Sequence, residues 1–407
     1  MITNIKINGF KSFLDFTLDV PPFLALIGPN ASGKSNLFDA LTLMADAVEF
    51  GPQRALTRHG RGSALDMFHR FNDGTTVDQV SITVTMLAAE PGDDGPVPMT
   101  CRLVLEKSDG EPFVSVCDLS SHAPDAAADV PGLAHASDAF MASLLVLIPE
   151  PRDGRVVVET TTSLLDRNPD PDLIHQARAE ARSWRPYVLE PHLMRLPVPA
   201  PDHDPLALNG RNLAAVLHRL EEDDVLWKLR ADLIALIPGL RDIKPLLDQR
   251  RQEYDFDAVL ADTGSVLPRV LSDGTLRALG LLAVSHDARS PGVMVVEEVE
   301  NGFHPGRLAE LVRRLTRDLV DPSADAPITS LRQVIVTSHS PVLVSALWAE
   351  TRDSLRFTDM VTRIDGAKHR ASRVTRVLPI LDGGERGAAA TPFDVRRFLG
   401  TVRPEDR

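Results

Sequence analysis

Gly28-Pro29-Asn30-Ala31-Ser32-Gly33-Lys34-Ser35 is the stretch whose reading decides the fold. It fits G-x-x-x-x-G-K-[ST], the pattern of a phosphate-cradling loop. Gly28 and Gly33 permit backbone angles that a side chain forbids. The amides of the loop are then free to turn inward around an anion. Lys34 brings a positive charge to the outer phosphates, and Ser35 offers a hydroxyl to magnesium.

The flanks agree with this reading. Phe23-Leu24-Ala25-Leu26-Ile27 is a short apolar run of the kind a buried strand needs. After the loop, Leu37, Phe38, Leu41, Met44 and Val48 recur at helical spacing. Strand, loop and helix follow in the required order, and the helix start adds its dipole to the anion site.

With 407 residues the chain is long enough for one elaborate domain or two lobes. Its hydrophobic share of 43% and charged share of 25% are those of an ordinary globular protein, and no apolar run approaches a membrane span. The net charge of −13 excludes a wholly basic surface built to coat nucleic acid, but not a local basic groove. Cys101 and Cys117 are the only cysteines, too few for a disulfide framework or a cysteine metal cluster. A cytoplasmic protein with no membrane partner is the expectation.

Outward from the loop, Ile2–Ile7 and Leu14–Val20 read as paired strands around Gly9-Phe10-Lys11-Ser12-Phe13, where Lys11 is a candidate nucleotide contact. Arg54 to Gly62 is the densest basic stretch; it reads first as a solvated loop and second as a contact for phosphates of ATP or DNA. Val77–Leu87, Met99–Glu106 and Pro112–Leu119 alternate as antiparallel strands do. A turn-rich stretch at Pro91–Pro96 and a helix over Ala139–Leu147 are also expected. Tyr254–Leu260 and Val266–Val270 read as further strands.

Three later stretches carry chemistry. Leu271-Ser272-Asp273-Gly274-Thr275-Leu276-Arg277 stands at a strand-to-helix junction, another anion-facing helix start. Gly292-Val293-Met294-Val295-Val296 is a buried-strand run ending in Glu297-Glu298, where open α/β sheets place their ligands. One acid there can hold magnesium and the next can orient a water. Gln333-Val334-Ile335-Val336-Thr337 is a third such strand, ending in Ser338-His339-Ser340-Pro341. That ending brings His339 to the sheet edge of Lys34 and Glu298, within reach of a terminal phosphate.

Loop, signature, acidic strand end, turn and histidine, in this order, resemble the ABC-type ATPase heads of the SMC, RecF and OLD group. They are most similar to the predicted bacterial AAA-type ATPases of that group. Gly9 to Phe13, Asn209-Gly210-Arg211-Asn212-Leu213-Ala214, Leu217-His218-Arg219-Leu220 and Pro238-Gly239 also resemble this subgroup. The fold implied is α/β, a P-loop head with a mixed central sheet and a β-rich inserted lobe. Residues 1–75 and 206–380 would form the head, 76–205 the insert, and 381–407 a linker with a short helix.

The resemblance implies that Gly28 through Ser35, with Asn36 beside them, bind ATP phosphates. Ser35 and Glu297 would hold Mg2+, and Glu298 would polarise the attacking water. His339 would sense the γ-phosphate. Ser272 and Gly274 would reach the ATP of a second subunit, with the turn Glu300–His304 facing that subunit. It further implies a homodimer sandwiching two ATP molecules and driving a separate effector, such as a nuclease encoded nearby, in phage defence or DNA surveillance. A RecF-like ATP-gated DNA-binding repair factor is the alternative. Two departures stand out: Val299 where related sequences often carry proline, and Glu297 where ABC ATPases usually carry aspartate. No long heptad-bearing insert is visible, and no metal-dependent nuclease domain is expected after His339.

Overall fold

The computed structural model describes residues 1–58, 63–88, 97–121, 155–159, 171–290, 292–319, 331–348, 351–381, 389–398 and 400. The turn expected at Pro91–Pro96 and the helix expected at Ala139–Leu147 lie outside them.

A mixed central sheet organises the chain. Its order is β16 (Arg370–Pro379), β15 (Leu355–Asp365), β3 (Phe23–Ile27), β14 (Gln333–Ser338), β13 (Val293–Val296) and β8 (Pro186–Tyr187). Strands β15, β3, β14, β13 and β8 are parallel, and β16 closes one edge as the antiparallel partner of β15. Parallel strands covered on both faces need apolar side chains in both directions. Accordingly, β3, β13 and β14 are buried at every residue.

Alternation along these strands sorts their side chains into two cores. Phe23, Ala25, Ile27, Met294, Val296, Val334 and Val336 enter one core, and Leu24, Leu26, Val293, Val295 and Ile335 enter the other.

The second core is closed by α1 (Lys34–Phe50) and by an antiparallel sheet. That sheet runs β2 (Phe16–Asp19), β1 (Ile2–Asn8), β4 (Gln79–Ala88), β5 (Val97–Ser108), β6 (Glu111–Ser121), β7 (Arg155–Glu159). Strand β4 pairs directly with β1, so this sheet is continuous from the N-terminal hairpin. The helix α3 (Pro171–Arg182) joins this core, and α2 (Pro52–Arg58) follows α1.

The first core is closed by α4 (Pro191–Met194), α5 (Leu213–Glu222), α6 (Leu226–Leu236), α7 (Asp273–His286), α8 (Pro305–Thr316), α9 (Pro341–Leu347) and α10 (Pro392–Phe398). A small sheet lies with them: β10 (Leu240–Asp248), β11 (Glu253–Leu260) and β12 (Gly264–Val266), with β9 (Val198–Pro199) also on β11. No helix among the described residues is long and apolar enough to cross a membrane.

Two local expectations are corrected. Arg54 to Arg58 is helical rather than a loop, because Arg58 stacks on Phe50 and Ala55 is buried, which anchors the short helix. The strand expected over Val266–Val270 stops at Val266, and Pro268–Val270 is a 3-10 turn. Pro268 has no N–H for a ladder and a fixed φ that suits a helical first turn.

One buried ion pair ties α5 to the end of α7. Arg219 donates to the Asp287 carboxylate at 2.5 Å and to the Asp204 carbonyl at 2.9 Å, with the Arg219 and Asp287 side chains only 3% and 1% exposed. Removing one partner strands the other charge without solvent. Arg219→Ala is therefore expected to destabilise the fold by about 3–5 kcal/mol, read as a lower denaturant midpoint. A midpoint within error of the parent would contradict this.

Candidate nucleotide site

The loop grows from the end of β3 and leads straight into α1. It is shaped from outside as well as by its own glycines. A Cβ on Gly28 would fall 2.1 Å from the Thr358 carbonyl of β15. Gly33 has φ +93°, and a Cβ there would fall 1.8 Å from Thr375 Oγ1 of β16. Thr375 Oγ1 donates to the Ser32 carbonyl at 3.1 Å and lies 2.6 Å from Ser12 Oγ. Asn36 donates to the same Ser12 hydroxyl at 2.8 Å. The β15–β16 pair therefore braces the loop from behind.

Helix α1 starts at Gly33 with no side-chain cap and no acid in its first turn. The Asn36 and Leu37 amides donate to the Gly33 carbonyl, which leaves the amides before them to face an anion, as a phosphate site requires. The Lys34 ammonium donates to the carbonyls of Gly28 and Pro29, both at 2.8 Å, and lies 3.4 Å from Ser32 Oγ. Burial pushes its pKa down, while the negative charges of Glu300 and Glu298 hold it up. Those acids belong to the end of β13, so the field at Lys34 reports the convergence of two motifs.

Sheet order explains that convergence. Strand β14 lies between β3 and β13, so Lys34, His339 and Glu298 follow the carboxyl ends of three adjacent parallel strands. Glu298 takes φ +48°, a backbone conformation that L-residues rarely hold. Its amide donates to Thr337 Oγ1 at 2.9 Å, and Asn301 Nδ2 donates to its carboxylate at 2.7 Å. The exposed Glu298 side chain is thereby fixed from both ends.

Glu297, half-buried, and the exposed Ser35 make no side-chain hydrogen bond among the described residues. A carboxylate and a hydroxyl, both unclaimed, are a donor set that suits magnesium.

Glu300, which the sequence reading placed only in the dimer-facing turn, has a more specific position. Its Oε1 accepts from the His339 amide at 2.6 Å and lies 2.8 Å from His339 Nδ1. The signal was available as a third acid two residues beyond Glu298, but the contact spans 39 positions of sequence.

The remaining candidates sit around this centre. Lys11 is paired with Asp39 of α1 at 2.6 Å, so its ammonium already has an anionic partner. Beside it opens a cavity of about 570 Å³, whose lining includes Lys11, Ser12, Asn36, Phe68, His69 and Arg373. Ser272 is exposed and caps α7, accepting from the Thr275 amide at 3.2 Å. Gly274 lies against the acidic turn, where a Cβ would meet the Gly302 carbonyl at 2.0 Å. The contacts of this helix start thus run to the turn and to Arg195, which pairs with Asp273 at 2.7 Å.

Val299 has a physical role of its own. It is buried, and its amide donates to the Thr337 carbonyl at 3.1 Å. Proline has no such donor. Val299→Pro is expected to cost about 1–3 kcal/mol of stability, measured by thermal or denaturant unfolding, because a buried carbonyl loses its partner. An unchanged midpoint would contradict it.

Comparison with known proteins finds AAA domains in sequence and the Smc head in fold. A family model described as an AAA ATPase domain matches residues 1–84. Another, described as an AAA domain with the terms AbiEii toxin and Type IV TA system, matches residues 161–345. The chromosome partition protein Smc of Methanocaldococcus jannaschii is 38% identical over 69 residues. That segment is 17% of this chain and 6% of the relative, so the chain matches only a small part of that protein's length. In fold, an Smc head crystallised with the C-winged helix domain of ScpA aligns over 92% of this chain and 98% of its own. The TM-score is 0.53 at 14% identity. With a phosphate loop after β3 and acids after β13, the chain matches AAA ATPase domain models at both flanks and has the fold of an Smc head, and so is similar to SMC-like ATPase heads of the ABC/AAA type.

Proposed function

We propose that this ATPase head is an ATP hydrolase that dimerises around its nucleotide and passes the opening and closing of that dimer to a separate effector. The observation that carries the reading is the convergence of Lys34, Glu298 and a Glu300-held His339 after three neighbouring strands. Loop amides from Gly28 to Ser35, with Lys34, bind the β- and γ-phosphates. Glu298 orients the water and accepts its proton, and His339 contacts the γ-phosphate. Asn36 and Lys11 flank the nucleoside side, where the cavity beside the loop receives base and ribose. Ser35 and Glu297 would hold magnesium, which supplies charge neutralisation at the phosphates when bound.

Ser272 and Gly274 complete the site of a second copy. Ser272 is exposed at the start of α7, which suits a contact made across an interface. Smc heads have the same fold, and the AbiEii and Type IV TA wording of the matched family favours a defence setting. A nuclease encoded nearby fits as the effector. Boundaries near 75, 205 and 380 remain our division of the chain into head and insert.

The test is turnover by the purified chain, with and without duplex DNA, beside a Lys34→Ala control. Turnover that the control lacks supports the hydrolase. Bound ATP with no turnover under either condition contradicts it. A second reading, ATP-gated DNA binding, is favoured by Arg54 and Arg58, which are exposed on α2. It requires ATP-dependent DNA affinity that falls with salt and with Arg54→Ala/Arg58→Ala.

A further inference from the structure

Hydrolysis assigns His339 a task without saying what aims its ring. Nearly half of the His339 side chain is exposed, so packing alone does not fix the ring. One carboxylate oxygen of Glu300 takes both the ring Nδ1 at 2.8 Å and the backbone amide at 2.6 Å. One backbone hydrogen bond and one close ring contact to the same oxygen set the side of the imidazole that faces Glu300. The Glu300 side chain is only 12% exposed, and its other oxygen is buried with no hydrogen-bond partner among the described residues.

Glu300 is itself held. Its carbonyl accepts from the Phe303 amide at 3.0 Å, and the Glu298 carbonyl accepts from the Asn301 amide at 2.9 Å. Gly302, at φ +84°, packs the same turn under Gly274 of α7. A carboxylate on such a turn is a fixed acceptor.

We propose that Glu300 is the positioning residue for His339: it keeps the proton on Nδ1 and leaves Nε2 directed to the nucleotide. This rests on the hydrolase reading above. A carboxylate can only accept, so Nδ1 must carry a proton to make the bond. In a neutral ring Nε2 is then an acceptor, and in a charged ring it is a donor to phosphate. Only the charged ring can donate from Nε2 to a phosphate oxygen, so the pairing with Glu300 serves the nucleotide contact in that form. The charge of Glu300 also offsets the burial of the Lys34 ammonium more than Glu298 does.

The experiment combines kinetics with ring NMR on the full chain. Glu300→Ala is expected to lower kcat about 10–100-fold, the range for removing a partner that orients a functional group. KM for ATP should stay within about threefold, because the loop that binds phosphate is untouched. Glu300→Gln restores an acceptor and should recover most of that loss. The double variant Glu300→Ala/His339→Ala should be no slower than His339→Ala alone.

Multiplied losses in the double variant, an unaltered kcat in Glu300→Ala, or no recovery in Glu300→Gln would each overturn the proposal. Nitrogen NMR of the unmodified protein, taken above the ring's own titration midpoint, needs no variant to fold. A proton on Nδ1 of His339 supports the pairing, and a bare Nδ1 overturns it. If the parent protein turns over no ATP, the hydrolase reading fails, and the NMR result still decides the pairing.

Discussion

Glu298→Gln is expected to lower ATP turnover about 10²–10³-fold while ATP binding survives. The exchange keeps the size of the side chain and replaces a charged oxygen by an amide. The backbone that sets its position is untouched, since Thr337 Oγ1 accepts from the Glu298 amide and the strand beneath is fully buried. The amide oxygen of glutamine can still accept from Asn301 Nδ2. What is lost, on the proposed reading, is the base that polarises water, so the chemical step should slow while the steps before it should not. If hydrolysis opens the dimer, the variant accumulates as an ATP-bound dimer. Steady-state turnover and size-exclusion chromatography with ATP read the two halves of the prediction. A variant as fast as the parent would remove Glu298 from the chemistry.

Gly33→Ala is expected to damage the site through geometry alone. The residue sits at φ +93°, which disfavours any side chain by about 1–2 kcal/mol. The new Cβ would lie 1.8 Å from Thr375 Oγ1 and 2.9 Å from Ser12 Oγ. Thr375 would have to leave, giving up its bonds to Ser12 and to the Ser32 carbonyl, each worth about 1 kcal/mol. About 3–4 kcal/mol against the nucleotide-ready loop corresponds to an ATP affinity lower by about 10²–10³-fold. Gly110→Ala is the control. Gly110 has φ +83°, but a Cβ there would meet no atom within 4 Å, so it carries the conformational cost without the collision. Equal ATP affinity in the two variants would refute the steric account.

The parts legible in the sequence share one property: their signal is local. A strand buried on both faces, a glycine-framed loop and an apolar-periodic helix are contiguous, so β3, the loop and α1 stand where their residues say. The same holds for β13 and β14, whose order in the sheet then follows from the parallel crossover.

Strand β10 shows the opposite case. Only Leu240 and Ile243 among its nine residues are buried, Pro245 interrupts it, and no alternation marks it. It forms because β11 supplies the ladder, with β10 at the sheet edge, where proline is tolerated. Val266 to Val270 misleads for the reverse reason, because β-branched and apolar residues bracket the stretch while Pro268 turns the chain.

At the site, motif residues were readable and their supports were not. Thr375 reaches the loop across 343 positions, and Glu300 reaches His339 across 39. Such contacts are set by tertiary packing, which spacing along the chain does not encode. Lys11 shows the limit from the other side: its place beside the loop was readable, its pairing with Asp39 was not.

The most direct test of the central claim is ATP turnover per protomer measured across a range of protein concentrations, with dimer content followed in parallel. A site completed by Ser272 and Gly274 of a second copy predicts a rate per protomer that rises with concentration and levels off as dimer forms. It also predicts that Ser272→Arg abolishes the rise while the monomer still binds ATP. Turnover that is independent of concentration in a protein that stays monomeric with ATP would contradict the account.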